Sequence, residues 1–199
     1  MSKNVLNLDL RELSLSGQPV LADLPLTLLA GETVAITGPS GIGKTSILRV
    51  LAGLETGFSG TLQGAERVAM VFQEPTLLPW RTARENLCLT TGVSTQKAEA
   101  KLIDVGLKGL GDRFPGQLSL GQQRRLSLAR AFVADPQILL MDEPFVSLDE
   151  ALAEEMMGLF EELRAGTDVA TVLVTHVPKE AERLADRVLR LEGRPATFR

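Results

Sequence analysis

The run Gly38-Pro39-Ser40-Gly41-Ile42-Gly43-Lys44-Thr45 constrains this chain more than any other. It follows the β-rich stretch Thr33-Val34-Ala35-Ile36-Thr37. It leads into a helical pattern from Lys44 to Leu54 that sets Ile47, Leu48 and Leu51 on one face. Glycines let such a turn point successive backbone N–H groups inward at phosphate oxygens, and the helix N-terminus adds about half a positive charge. G-x-x-x-x-G-K-[ST] between a strand and a helix is the pattern of a phosphate-binding loop. Gly38, Pro39, Ser40, Gly41, Ile42, Gly43, Lys44, Thr45 and Ser46 are therefore candidate nucleotide-binding residues. Lys44 is expected on the β- and γ-phosphates, and the Thr45 hydroxyl on Mg²⁺.

The rest of the chain fits an α/β domain around that turn. Asn4 to Leu29 alternates apolar and polar residues, as half-buried antiparallel strands do. Val68 to Phe72 is a further strand candidate. Between Gln73 and about Asp135 the character turns helical. Thr82-Ala83-Arg84-Glu85 has capping-box spacing, and Ser94 to Val105 and Ser119 to Val133 predict two more helices. Gln137 to Met141 and Ala170 to Thr175 are apolar on both faces, as central parallel strands are. Leu152, Met156, Leu159, Phe160 and Leu163 form a helical stripe, and Pro178 suits the first turn of a last helix. The expected organisation is one domain, 1–199. It has a core with a small antiparallel β-subdomain over 1–72 and 136–199, and a helical subdomain over 73–135.

A phosphate cradle needs a metal carboxylate. Asp142 ends an apolar strand, where a parallel sheet delivers side chains to its ligand edge. Glu143 follows and is expected to point to the other side of the chain. One carboxylate holds Mg²⁺ while the next takes a proton from attacking water. His176, the one histidine, ends the other buried strand and is expected to donate to the γ-phosphate.

Leu118-Ser119-Leu120-Gly121-Gln122 resembles the Leu-Ser-Gly-Gly-Gln signature of ATP-binding-cassette proteins. Gln73 resembles that family's Q-loop glutamine, Ser147-Leu148-Asp149 its D-loop, and His176 its switch histidine; the order matches over nearly the whole chain. The resemblance implies a P-loop NTPase core with a mostly parallel sheet, an antiparallel β-subdomain and an inserted helical subdomain. It implies ATP and Mg²⁺ as cofactors, with Thr45, Gln73 and Asp142 at the metal, and Glu143, His176 and Lys44 as the catalytic set. It also implies a head-to-tail homodimer in which Ser119, Gly121 and Gln122 act on the other copy's nucleotide and Asp149 links the two sites. Ser119 suits that role as an N-cap that aims a helix end at phosphate.

Val71 to Trp80, Asp142-Glu143-Pro144-Phe145 and the ending Leu191 to Pro195 resemble ATPase subunits of bacterial importers for nitrate, sulfonates and taurine. That implies transmembrane permease subunits as partners and, indirectly, a periplasmic or lipoprotein solute-binding protein. It places the chain peripherally on the cytoplasmic face of the cell membrane. Leu77, Leu78, Pro79 and Trp80 are expected to offer apolar anchors to the permease.

Composition agrees. No apolar run of the 199 residues approaches the ~18–20 needed to span a bilayer, and Met1-Ser2-Lys3-Asn4 leads into no secretory apolar core. Net charge −4 disfavours a nucleic-acid partner. The single cysteine, Cys88, excludes an internal disulfide framework and is expected to be a buried small hydrophobe. Gln122-Gln123-Arg124-Arg125 is expected to be a solvated helix face, and Met156 and Met157 to be packing residues. Rival functions are a soluble clamp of the same superfamily, an exporter or lipid-transport subunit, and a P-loop kinase.

Three features depart from the family pattern. No aromatic precedes Phe58 and the chain has no tyrosine, so the adenine-stacking group expected near Leu15–Gly17 is absent. Leu120 replaces a signature glycine. The stretch from Gly53 to Val68 is short, which predicts a reduced β-subdomain.

Overall fold

The structure is a computed structural model that describes residues 3–64 and 66–199. Two compact units divide the chain. One comprises Met1–Met70, Gln137–Glu143 and Asp168–Arg199; the other comprises Val71–Pro136 and Pro144–Thr167.

In the first unit, β1 (Asn4–Leu15) and β2 (Gln18–Leu29) pair antiparallel and bury alternate leucines: Leu6, Leu8 and Leu10 from β1, and Leu24, Leu26 and Leu28 from β2. The step from Leu10 to Leu13 breaks strict alternation. A register shift between Leu10 and Glu12 accommodates it, as a bulge does. β3 (Thr33–Thr37) runs into the glycine turn, and α1 (Lys44–Leu51) follows. β4 (Phe58–Gly64) pairs with the outer edge of β1, and there a Cβ on Gly60 would sit 2.0 Å from the Asp9 carbonyl oxygen.

β5 (Val68–Val71), β6 (Ile138–Asp142), β7 (Ala170–Val174), α6 (Pro178–Leu184), β8 (Arg187–Gly193) and β9 (Ala196–Phe198) complete the sheet. Its order is β4-β1-β2-β9-β8-β3-β7-β6-β5. β3 lies parallel between β7 and β8, and β6 parallel to β7, so the buried runs Ile138–Met141 and Ala170–Val174 are central strands. Parallel pairing brings the C-terminal ends of β3, β6 and β7 to one edge, where the glycine turn, Asp142 and His176 begin. The antiparallel part is β1, β2 and β4, with β9 paired to β8.

The second unit is helical: α2 (Ala83–Thr91), α3 (Thr95–Asp104), α4 (Leu120–Val133) and α5 (Glu150–Arg164), with a 3-10 turn at Pro115–Gln117. Thr82 accepts from the Glu85 N–H and the Glu85 carboxylate accepts from Thr82 N–H, so the capping box forms. Asn86, fully buried, donates to the carbonyls of Leu78, Arg81 and Thr82 and accepts from Leu78 N–H. That pins the Leu78–Thr82 loop against α2. α5 groups with α2–α4 rather than with the core, where the sequence order puts it. Phe160 meets Phe132 of α4 with ring centroids 6.3 Å apart, and Met156 and Met157 are buried beside it. Cys88 is a free thiol and only half-buried. Among the described residues, no helix is long and apolar enough to cross a membrane.

Candidate functional site

The turn from β3 to α1 has the conformation its glycines permit. Gly43 stands at φ 113° as the N-cap of α1, and a Cβ there would lie 2.6 Å from Leu21 Cδ2. No side chain caps α1, so its first-turn N–H groups, which no helical carbonyl can reach, are left for an anion. Lys44 folds back under the turn. Its Nζ is buried and donates to the carbonyls of Gly38 at 2.9 Å and Pro39 at 3.1 Å.

Both carboxylates at the end of β6 reach this turn. Thr45 Oγ1 donates to Asp142 Oδ1 at 3.3 Å, and Lys44 Nζ lies 3.6 Å from Glu143 Oε1. Strand alternation predicts Glu143 on the other side of the chain, and the structure corrects this. Glu143 leaves the strand at φ 48°, which breaks the alternation, and its N–H donates to the Val174 carbonyl. Its Oε2 lies 3.2 Å from Nδ1 of His176. Burial raises the Asp142 carboxyl above its usual range; the Thr45 hydroxyl and Lys44 pull it back down.

A further pair supports His176. Thr175 Oγ1 donates to Glu180 and accepts from the Val177 N–H, and the Glu180 N–H donates to the Val177 carbonyl. Glu180 is buried, and burial raises its carboxyl. The sequence reading passed over it; its place on the first turn after the histidine was the available signal. Beside the turn and His176 opens a pocket of about 600 Å³ lined by Gly38, Pro39, His176 and Arg190.

These residues suit a magnesium nucleotide. Among the described residues, no group of three or more His, Cys, Asp or Glu side chains could hold a metal by itself. Mg²⁺ is commonly held by one or two carboxylates plus substrate phosphates, and Asp142 with Thr45 supplies a donor set of that kind.

In the helical unit, Ser119 caps α4. Its Oγ accepts from Gln122 N–H and its N–H donates to Gln122 Oε1. Asp149 caps α5 by accepting from Leu152 N–H at 2.9 Å. Ser119, Gly121, Gln122 and Asp149 line one hollow of about 440 Å³. Gln73 lines a different cavity, with Leu77 and Pro79, and Trp80 is 68% exposed. The expected solvated face over Gln122–Arg125 is corrected at Arg124, which is only 8% exposed because loop residues from elsewhere in the chain wall it in.

A family model described as ABC transporter matches residues 21–146. The chain is 38% identical, over all of its length and 85% of the relative's, to the aliphatic sulfonates import ATP-binding protein SsuB 1 of Pseudomonas savastanoi pv. phaseolicola. It is 47% identical to SsuB 2 of Rhizobium johnstonii, covering 88% of this chain and 72% of that protein. The fold matches a dimeric ATP-binding cassette solved in a post-hydrolysis state with ADP and Pi. The TM-score is 0.83 at 26% identity, covering 98% of this chain and 96% of that one. The expected α/β architecture with its inserted helices is therefore the observed one.

Proposed function

The chain belongs to the ABC transporter family, and from that premise we propose that it is the ATP-hydrolysing subunit of a bacterial importer of small anionic solutes. The aliphatic sulfonate import proteins it resembles supply the solute class. The observation that carries the enzymatic part is the placement of Glu143. Its carboxylate lies between Lys44 Nζ at 3.6 Å and His176 Nδ1 at 3.2 Å, at the mouth of a phosphate-binding turn.

The turn's N–H groups and Lys44 take the β- and γ-phosphates. On nucleotide entry, Lys44 exchanges its contacts with the Gly38 and Pro39 carbonyls for phosphate oxygens. Thr45 and Asp142 would hold Mg²⁺, which when bound would draw charge from those oxygens. Glu143 accepts a proton from the water that attacks the γ-phosphorus, the bond to the bridging oxygen breaks, and ADP and phosphate form. His176 donates to a γ-oxygen and keeps Glu143 in place. Ser119, Gly121 and Gln122 address the γ-phosphate held by a second copy, and Asp149 lies beside them to carry the state of one site to the other. Closure of the pair on two ATP molecules moves a permease bound peripherally at the cytoplasmic membrane face, fed by a solute-binding protein. The reading makes the chain one nucleotide-binding domain with a helical insertion.

The test is co-expression with a permease of the sulfonate-import class, followed by reconstitution into liposomes. ATP hydrolysis stimulated by an added solute-binding protein, with sulfonate uptake, is expected. Turnover with a free chain that binds ribosomes or DNA and no permease would favour the soluble-clamp alternative.

A further inference from the structure

His176 stands just past the end of β7. Its side chain is 45% exposed, and Nδ1 lies 3.2 Å from Glu143 Oε2. Packing holds so exposed a ring only weakly, so its place depends on the backbone that carries it. On one side the sheet fixes that backbone. The Glu143 N–H donates to the Val174 carbonyl, and the Thr175 N–H donates to the Ile36 carbonyl. On the other side the chain leaves the sheet for α6.

There a hydroxyl and a carboxylate close the corner. Thr175 is fully buried; its Oγ1 accepts from the Val177 N–H at 3.0 Å and donates to Glu180 Oε2. The Glu180 N–H donates in turn to the Val177 carbonyl at 3.2 Å. The Val177 N–H belongs to the peptide that follows His176, so its bond to Thr175 restricts ψ of the histidine, and with it the direction in which the ring leaves the chain. Glu180 is only 4% exposed. Burying a carboxylate is costly, and burial raises this one above its ordinary range. An apolar side chain there would pack without that penalty, so the carboxylate matters for what it holds. Pro178 and Ala181 of α6 line the same pocket as His176, Gly38 and Pro39, so a loosened corner would disturb that wall as well as the ring.

We propose that Thr175 and Glu180 are positioning residues for hydrolysis: together they fix the peptide after His176 and so hold the imidazole against Glu143. They act through the histidine. The inference rests on the reading of Glu143 and His176 as hydrolytic groups and adds the pair that sets their separation.

The test uses variants of the whole chain, with its one histidine as the probe. Glu180→Ala removes the acceptor. Glu180→Gln keeps one in its amide oxygen. Thr175→Val combined with Glu180→Met replaces both partners by apolar groups of similar shape, which can be nearly neutral for stability. At saturating MgATP, Glu180→Ala and the double variant should lower kcat by at least about tenfold, within the ~10²-fold that a misplacement of roughly 1 Å costs, with the KM for ATP held. Glu180→Gln should recover most of the turnover. In a His176→Ala background, Glu180→Ala should cost nothing further. The imidazole NMR resonances read the ring's place without nucleotide: Glu143→Gln should move them in wild type and leave them unmoved in the double variant.

Wild-type turnover in the double variant at a near-native Tm overturns the inference and makes the pair structural only. Additive losses from Glu180→Ala and His176→Ala overturn it too, because Glu180 then acts apart from the histidine. So do imidazole resonances that answer Glu143→Gln equally with and without the pair. Should the double variant unfold, Glu180→Ala against Glu180→Gln decides: equal turnover in the two overturns the inference. Undiminished turnover in His176→Ala overturns instead the hydrolytic role of the histidine, and the resonances then decide whether the pair holds the ring.

Discussion

Replacing Glu143 by Gln separates its chemical role from its structural one. The amide has the shape of the carboxylate but cannot take a proton. What it loses in the resting protein is small. The Lys44 contact is 3.6 Å long, and Lys44 keeps its hydrogen bonds to the Gly38 and Pro39 carbonyls in the variant, so the buried ammonium is not orphaned and the loss is about 1 kcal/mol. At roughly 2–4 °C per kcal/mol for a chain of this size, Tm should shift by no more than about 4 °C. What it loses in the transition state is larger: a positioned general base contributes ~10²–10⁴ in rate, or about 2.7–5.4 kcal/mol of barrier. Phosphate release at saturating MgATP should therefore fall by at least ~10². The KM for ATP should stay put, because Lys44 and the turn make the ground-state contacts. Light scattering with MgATP should then show a stable dimer. Turnover near that of wild type would remove Glu143 from the base role, and a Tm loss well beyond 4 °C would mean that the site was unfolded rather than disarmed.

Three further outcomes are expected. With no aromatic before Phe58, Leu15 at the end of β1 37% exposed, and Val20 against Gly43, the base lacks the ~1–3 kcal/mol of stacking an aromatic ring supplies. Calorimetry should show little preference for ATP over GTP and a gain for ATP in Leu15→Tyr; strong adenine selectivity in wild type contradicts this. Asn86→Ala takes away the fully buried amide that accepts from the Leu78 N–H and donates to the Arg81 carbonyl and should cost at least ~1 kcal/mol, a Tm fall of about 2–4 °C, with ATP affinity in the isolated chain unchanged. For Glu180, burial raises the folded pKa. Its favourable contribution is therefore complete below the unfolded carboxyl value of about 4.3 and is lost as pH rises through the folded one. Glu180→Gln should gain stability relative to wild type as pH climbs from weakly acidic to neutral. A stability difference in urea melts that does not widen with pH refutes the assignment.

What local chemistry dictates was readable. Thr82 and Ser119 announce their caps by a hydroxyl followed at the third residue by Glu or Gln, and the fully apolar runs at β6 and β7 could only be interior strands. The sequence reading did not find β4, β8 and β9. Phe58–Gly64 has no alternation, carries two glycines and is mostly exposed; it is a strand because the outer edge of β1 supplies its partners. Arg187–Gly193 carries three charged residues and takes its place from β3 on one side and β9 on the other. Such elements are set by long-range pairing, to which single-strand propensity is nearly blind.

The site divides the same way. Lys44, Thr45 and Asp142 sit where a motif and a strand end put them. The placement of Glu143 depended on one left-handed residue, which no period reveals. Arg124 is the sharper case. Its neighbours Gln122, Gln123 and Arg125 read as a wet helix face, and Arg125, paired to Glu155, is only 26% exposed in its side chain. Arg124 is buried because Leu77, Pro79 and Pro115 wall the cavity on its side of α4. Sequence pattern describes what a residue offers. In the fold Arg124 is buried with its Nε and Nη1 left without a hydrogen-bond partner, a cost that no helical period announces.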